Sequence, residues 1–148
     1  MNIYLDVCCL NRPFDDQSQD RIYLEAEAVL TILARCQSGK WTLAGSDVIE
    51  LELSKLPDPD KLAKVRAVYS LHGLRLTIND KVKARSEELL RLGLKLFDSL
   101  HLALAEIYRQ DVLLSTDDGF IKAATRFETK IPVKNPVSWL MEEMRNEH

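Results

Sequence analysis

Short apolar segments alternate with helical patterns along this chain, and the alternation constrains the fold more than any other feature of the sequence. Short apolar runs predict strands at residues 2–6, 41–45, 75–78, 112–115 and 131–133. A helical crossover between successive strands returns each one to the sheet in parallel orientation. The sequence therefore predicts an α/β fold, a three-layer α/β/α sandwich with a mostly parallel five-stranded sheet, in a single domain over residues 1–148.

The helices between the strands are predicted from the spacing of apolar residues and from capping residues. Ser46 can cap a helix that ends before Pro57, and Asn79 can cap a helix that runs to Gly93. Other helices are predicted from Asp20 to residue 37, at residues 60–72, from Asp98 onward, at residues 119–127 and from Pro136 onward. Every predicted strand is thus joined to the next by helical sequence.

Composition and charge exclude several classes of protein. No apolar run approaches the ~20 residues that span a bilayer, and the N-terminus has no basic leader, so we expect a soluble, cytoplasmic protein without membrane association. Three cysteines, two of them adjacent, do not predict a disulfide framework. A net charge of −3 argues against nucleic-acid binding through overall charge alone, but it is compatible with a nuclease whose acids are neutralised by metal.

Acidic residues are predicted to collect at one edge of the sheet. They are Asp6 after the first strand, Glu50 and Glu52 after the second, Asp98 at a helix start, and Asp117 and Asp118 after the fourth strand. The carboxyl ends of parallel strands share an edge at which ligands bind. Carboxylates gathered there repel one another unless a cation neutralises them, and an all-oxygen set favours Mg²⁺ or Mn²⁺. The pattern predicts metal-assisted hydrolysis of a phosphodiester.

Each acid also has a structural interpretation. Asp98 alone would be an ordinary helix cap, and Asp118 could belong only to a turn that opens a helix. For Asp6 a functional role is the preferred interpretation. Residues 8–19 are predicted as a loop in which Pro13 bars a helix, so Asp6 has no helix to cap.

Two other kinds of reactive side chain are interpreted as structural. His101 lies within an apolar helix, where a histidine is more often packed and hydrogen-bonded than catalytic. Cys8 and Cys9 lie close to Asp6, but thiolate catalysis needs a partner histidine and a lowered pKa, and the sequence indicates neither. We therefore expect these three side chains to serve packing.

Three segments carry a family resemblance: IYLDVCCLNRP near the start, FDSLHLALAE late in the chain, and LLSTDDGF after it. In this combination the chain resembles a PIN domain over nearly its whole length. The resemblance implies a Mg²⁺- or Mn²⁺-dependent ribonuclease. Many members of that family are VapC-type toxins of bacterial toxin–antitoxin pairs, usually dimeric and inhibited by a small antitoxin protein. The implied alternative is a catalytically idle PIN-like module that binds RNA or a protein.

The resemblance also implies roles for individual residues. Asp6, Asp98 and Asp117 match the first, third and fourth acids, which hold the metal and support catalysis. Glu52 is preferred as the second acid, with Glu50 as a live alternative. Asp118 is then an accessory ligand, and Ser115 matches a supporting hydroxyl residue before the fourth acid. The chain departs from the family pattern directly after Asp6, where Val7 and Cys8 replace the usual hydroxyl or amide residues.

Basic residues near the acids are candidates for holding RNA phosphates. They are Arg12, Lys122 and Arg126, and each could equally belong to a solvated face. A dehalogenase-like phosphatase is a weaker alternative, because that class needs a second Asp where this chain has Cys8. The resemblance to PIN domains implies RNA, a second copy of the chain and a cognate antitoxin as partners.

Overall fold

A parallel sheet forms the centre of the computed structural model, which describes residues 1–147. Its strands are β1 Asn2–Leu5, β2 Thr42–Ser46, β3 Leu74–Leu76, β4 Val112–Leu114 and β5 Val133–Lys134. They lie in the order β3-β2-β1-β4-β5, and every neighbouring pair is parallel. The predicted α/β class is confirmed, with a sheet that is entirely rather than mostly parallel.

Helices join the strands and cover the sheet. They are α1 Val7–Asn11, α2 Asp20–Gln37, α3 Asp47–Leu53, α4 Pro59–Tyr69, α5 Asp80–Arg91, α6 Leu96–Ile107, α7 Asp118–Thr125 and α8 Pro136–Asn146. The two predicted caps are confirmed: Ser46 Oγ accepts from an amide of α3 at 3.1 Å, and Asn79 Oδ1 accepts from an amide of α5 at 2.9 Å. None of these helices is both long enough and apolar enough to cross a bilayer.

Burial along the central strands shows that both faces of the sheet are covered. Ile3, Tyr4 and Leu5 of β1 have 0% exposure, and the three residues of β4 have at most 1%. Successive strand residues point to opposite faces, so a strand buried at every position must have helices on both sides. The predicted three-layer arrangement follows from this burial.

The segment after β1 differs from the predicted loop at residues 8–19. The helix α1 begins directly after Asp6, whose carboxylate accepts a hydrogen bond from the Cys9 amide at 3.0 Å. A short 3-10 helix, Arg12–Phe14, follows and carries Pro13 in its first turn, where a missing N–H breaks no helical bond. The statement that Asp6 has no helix to cap is therefore wrong.

Other element boundaries also differ from the sequence-based ones. The helix α6 begins at Leu96, so Asp98 lies in its first turn, and Lys95 occupies the capping position. The helix α4 ends at Tyr69 rather than residue 72, because the chain turns through Gly73 into β3. The last strand starts at residue 133, after a proline that has no N–H for the ladder.

The strand order places β1 and β4 side by side where the order reverses. The chain moves from β1 outward through β2 to β3, then returns to the other side of β1 as β4 and β5. The Asp6 amide donates to the Leu114 carbonyl at 3.1 Å, so the end of β1 is joined to the end of β4. Ligand crevices of open parallel sheets lie at such a reversal, beyond the carboxyl ends of the strands.

Candidate functional site

Asp6 is a buried carboxylate at the end of β1. Its side chain caps α1, and the residue is 4% exposed. Burial raises the pKa of Asp6, whereas a hydrogen bond with Ser115, the nearby His101 and the Cys9 amide oppose that rise. Capping fixes the carboxylate rigidly at the reversal point and leaves its second oxygen for another partner.

Asp98 and Asp117 line one small cavity beside this point. The cavity has a volume of about 110 Å³ and is also bordered by Lys95 and Phe120. Asp117 caps α7, and its Oδ1 accepts from the Gly119 amide at 2.9 Å. Asp98 makes no capping hydrogen bond, so its interpretation as a helix cap is wrong.

The pKa of Asp98 reflects the acids around it. Burial, and then the negative charges of Asp117 and Asp6, raise the pKa of Asp98 to about 6. The three aspartates thus act on one another, although they come from the ends of β1 and β4 and from α6. A group of acids whose charges raise a pKa in a crevice is a candidate functional site.

Ser115 connects two of these aspartates. Its hydroxyl accepts from the Asp117 amide at 3.1 Å and lies near the Asp6 carboxylate, where it lowers the pKa of Asp6. Ser115 itself is fully buried directly after β4. It therefore sets the relative positions of Asp6 and Asp117.

The two glutamates of α3 point to different partners. Both Glu50 oxygens accept from Arg75, at 2.8 and 2.9 Å, and the Tyr69 hydroxyl donates to Glu50 at 2.6 Å. The hydrogen bonds from Arg75 lower the pKa of Glu50 to about 2. Glu52 instead contacts Nε2 of His101 on α6. Of the two, Glu52 lies on the side of the aspartates.

The pKa of the Cys8 thiol responds to several of the carboxylates. Cys8 is in the first turn of α1, two residues after Asp6, and it is exposed, so the expectation that it serves packing is wrong. Desolvation raises its pKa to about 12, and the further contributions come from the negative charges of Asp6, Asp117, Glu52 and Asp98. Four carboxylates from different parts of the chain therefore lie near enough to this thiol to act on its charge.

The chemistry of this donor set fits a hard divalent cation. All four groups are carboxylates, and the side chains that could hold the ion are Asp6, Glu52, Asp98 and Asp117. Within residues 1–147 no three His, Cys, Asp or Glu side chains stand close enough together to hold a metal ion without moving. Side-chain rotations would have to accompany binding, in which the cation would offset the mutual repulsion of the carboxylates.

Asp118 lies apart from this group. Its carboxylate accepts from both terminal nitrogens of Arg21, at 2.7 and 2.8 Å, and its side chain is 69% exposed. The hydrogen bond from Arg21 lowers the pKa of Asp118. The structure thus brings Asp117, but not its neighbour, into the crevice.

The predicted phosphate-binding residues fall into two kinds. Arg12 is only partly exposed and donates to Glu25 at 2.8 Å and to Asp15 at 3.0 Å, so its guanidinium already has two acidic partners. Lys122 lies in the last turn of α7, and Arg126 is the next residue after that helix. Both are exposed. Of the three predicted phosphate-binding residues, Lys122 and Arg126 are therefore the ones that are free to meet RNA.

Sequence reasoning missed several contacts around the site. Tyr4, two residues before Asp6, hydrogen-bonds Nδ1 of His101 at 2.5 Å across the interior. His101 is buried, as expected of a packed histidine, but it also touches Glu52. Arg21 links α2 to the start of α7 through Asp118. The alternation of side chains along β1 signals only that Tyr4 and Asp6 share a face.

Comparison with known proteins supports the fold class. No protein-family model and no curated protein matches the chain. Among solved structures it is similar to a chain of VapBC2 from Rickettsia felis, in a crystal structure of that complex bound to a DNA fragment from their promoter. The TM-score is 0.62 at 17% sequence identity, over 91% of this chain and 98% of that chain. At this identity the likeness establishes the fold, and the parallel sheet flanked by helices is consistent with the PIN-like prediction.

Proposed function

We propose that this protein is a Mg²⁺- or Mn²⁺-dependent endoribonuclease. The observation that carries the proposal is that the negative charges of Asp6, Glu52, Asp98 and Asp117 all act on the Cys8 thiol beside the reversal point of the sheet. No arginine or lysine among residues 1–147 forms a salt bridge with these four carboxylates. A divalent cation would supply the missing positive charge.

The chain's own residues would perform distinct tasks at this site. Asp6 and Asp117 are held by helix starts and by Ser115, so they present oxygens from fixed positions. A bound Mg²⁺ or Mn²⁺ would act as a Lewis acid that activates water and stabilises charge on the phosphate. The exposed Lys122 and Arg126 would attract flanking phosphates of RNA. No protein nucleophile is required.

The biological setting we propose is that of a toxin in a type II toxin–antitoxin pair. The PIN-like resemblance of the sequence and the similarity in fold to a chain of VapBC2 support it. The expected partners are RNA as substrate, a cognate antitoxin and a second copy of this chain as a homodimer. Action on cellular RNA would place the protein in the cytoplasm.

The direct test compares RNA cleavage by the wild type and by Asp98→Asn with Mg²⁺, Mn²⁺ or EDTA. We expect metal-dependent cleavage by the wild type and a loss of about 10²-fold or more in the variant, equivalent to roughly 3 kcal/mol. Asp80→Asn is the matched control, because Asp80 is an exposed aspartate in the first turn of α5. If the wild type binds RNA but neither cleaves it nor binds Mn²⁺, the protein is an idle binding module.

A further inference from the structure

A buried chain of hydrogen bonds ends at Glu52. Ser46 Oγ lies 2.8 Å from the Tyr4 hydroxyl, which lies 2.5 Å from Nδ1 of His101, and Nε2 of His101 contacts Glu52. Ser46 and Tyr4 have 0% exposure and His101 has 2%. Side chains from the ends of β2 and α3 are thereby joined through β1 and α6.

The proton directions in this chain can be deduced from its chemistry. An ionised carboxylate only accepts, so Nε2 of His101 must donate to Glu52. With a neutral ring, Nδ1 then accepts from the Tyr4 hydroxyl, which in turn accepts from Ser46. With a charged ring the Tyr4 bonds reverse, but Nε2 still donates. The ring therefore presents an N–H to Glu52 in either state.

This series of hydrogen bonds leaves one carboxylate oxygen of Glu52 without a partner among residues 1–147. Only Oε1 contacts His101, and no other donor within residues 1–147 hydrogen-bonds the Glu52 carboxylate. The side chain of Glu52 is 25% exposed. Glutamate has three rotatable bonds, and it is the only longer side chain among the four acids. Without a fixed partner it would be the least ordered of them.

We propose that His101 is a positioning residue, which holds Glu52 by one carboxylate oxygen so that the other faces the cation site. Tyr4 and Ser46 fix the orientation of the imidazole, and Ser46 also caps α3, the helix that carries Glu52. This inference rests on the proposed metal-dependent function. It extends that function by assigning to three buried residues the task of ordering one ligand.

The test measures Mn²⁺ binding to the full-length protein by calorimetry and by the electron paramagnetic resonance signal of the bound ion. His101→Leu should weaken Mn²⁺ binding about 10-fold to 100-fold, the usual cost of removing a group that orients a metal ligand. His101→Gln keeps an N–H near the position of Nε2, so it should restore most of the affinity. His101→Leu combined with Glu52→Gln should bind no more weakly than Glu52→Gln alone.

A control variant separates positioning from a loss of stability. Ile32 is fully buried in α2, a helix that carries none of the four carboxylates and none of Ser46, Tyr4 and His101, so Ile32→Ala should lower stability but leave Mn²⁺ affinity unchanged. If His101→Leu does not fold, Tyr4→Phe decides the matter, since it removes only the hydroxyl that orients the ring. We expect Tyr4→Phe to weaken Mn²⁺ binding by a smaller factor than His101→Leu.

The outcomes distinguish this inference from the proposed function. Wild-type affinity in His101→Leu, or in Tyr4→Phe where the leucine variant does not fold, overturns the positioning role but leaves the ribonuclease proposal standing. An equal loss of affinity in Ile32→Ala overturns it as well. A wild-type protein that binds no Mn²⁺ overturns both proposals.

Discussion

Buried carboxylates occur both outside and inside the crevice beyond β1 and β4, and only those outside it are paired with arginines. Glu25 is 1% exposed and accepts from Arg12 at 2.8 Å and from Arg21 at 3.2 Å. Glu106 is 4% exposed and accepts from Arg85 at 2.6 Å. These glutamates join helices to neighbouring segments and carry charges that are already balanced.

The crevice beyond β1 and β4 shows the opposite arrangement. Asp6 is as buried as Glu106, and Asp98 and Asp117 lie next to it, but no lysine or arginine among residues 1–147 forms a salt bridge with any of them. A buried charge is costly unless it is paired. The difference teaches that the glutamates are already neutralised by arginines, whereas the aspartates lack basic partners and would gain from the cation of the proposed function.

The largest effect is expected from breaking a balanced pair. Arg85→Met leaves the Glu106 carboxylate buried without its guanidinium and should lower the free energy of unfolding by about 3–5 kcal/mol, measured by urea denaturation. Adding Glu106→Gln removes the stranded charge and should recover most of the loss. Mn²⁺ affinity should not change, and a large change in it would mean that the two regions are not independent.

Metal binding in the crevice should have the second largest effect on the free energy of unfolding. At a Mn²⁺ concentration of about 100 times the Kd, the free energy of unfolding should rise by about 2.7 kcal/mol. Asp98→Asn should lose most of this increment, whereas Arg85→Met should retain it. Thermal and urea denaturation with and without EDTA provide the measurement. An increment of the same size in Asp98→Asn would remove this aspartate from the site.

The pH dependence of stability should reveal the unbalanced charge directly. The pKa of Asp98 is raised from 3.8 to about 6, so the folded protein takes up this proton at a higher pH than the unfolded chain. In EDTA the Asp98 contribution should therefore stabilise the fold progressively as the pH falls from about 6 to about 4. Partial exposure limits the gain to about 1–2 kcal/mol.

Asp98→Asn isolates this contribution, because the other titrating groups are common to both proteins. Urea denaturation at several pH values should give a difference between wild type and variant that shrinks toward low pH. A constant difference would contradict the raised pKa of Asp98. Saturating Mn²⁺ should also remove the slope, since the bound cation favours the ionised carboxylate.

The smallest effect is expected at the exposed pair formed by Glu50 of α3 and Arg75 of β3. Arg75 donates to Glu50 at 2.8 Å, and both side chains are well exposed, so Arg75→Ala should cost about 1 kcal/mol or less. Mn²⁺ affinity should stay at the wild-type value, because Glu50 has its own partners outside the crevice. A tenfold change in that affinity would instead favour Glu50 as the site glutamate.

Local sequence signals were sufficient to predict the sheet and to place Asp6 and Asp117 at its edge. Asp6 and Asp117 each follow an apolar strand, and the parallel topology brings strand ends to one edge. Ser46 and Asn79 precede helical patterns and cap them. These features depend on a few neighbouring residues, which is why the pattern could reveal them.

Other features depend on contacts that no local pattern contains. Tyr4 and His101 are 97 residues apart, so their hydrogen bond could not be foreseen from either segment. Residues two positions apart in a helix differ by about 200° around its axis. Glu50 and Glu52 therefore face different neighbours, which only the packed structure defines. The five-residue α1 was hidden because Pro13, which follows it, suggested a loop.

The hydrogen bond from the Asp6 amide to the Leu114 carbonyl has a consequence for the timing of assembly. A ribosome makes β1 and α3 early, so an unfinished chain already carries Asp6 and Glu52, but it lacks the β4 strand that holds the first of these in place. Pairing of β1 with β4 is a distant contact that closes late in folding. Under the proposed function, a nascent polypeptide would therefore not cleave RNA until translation has passed Asp117.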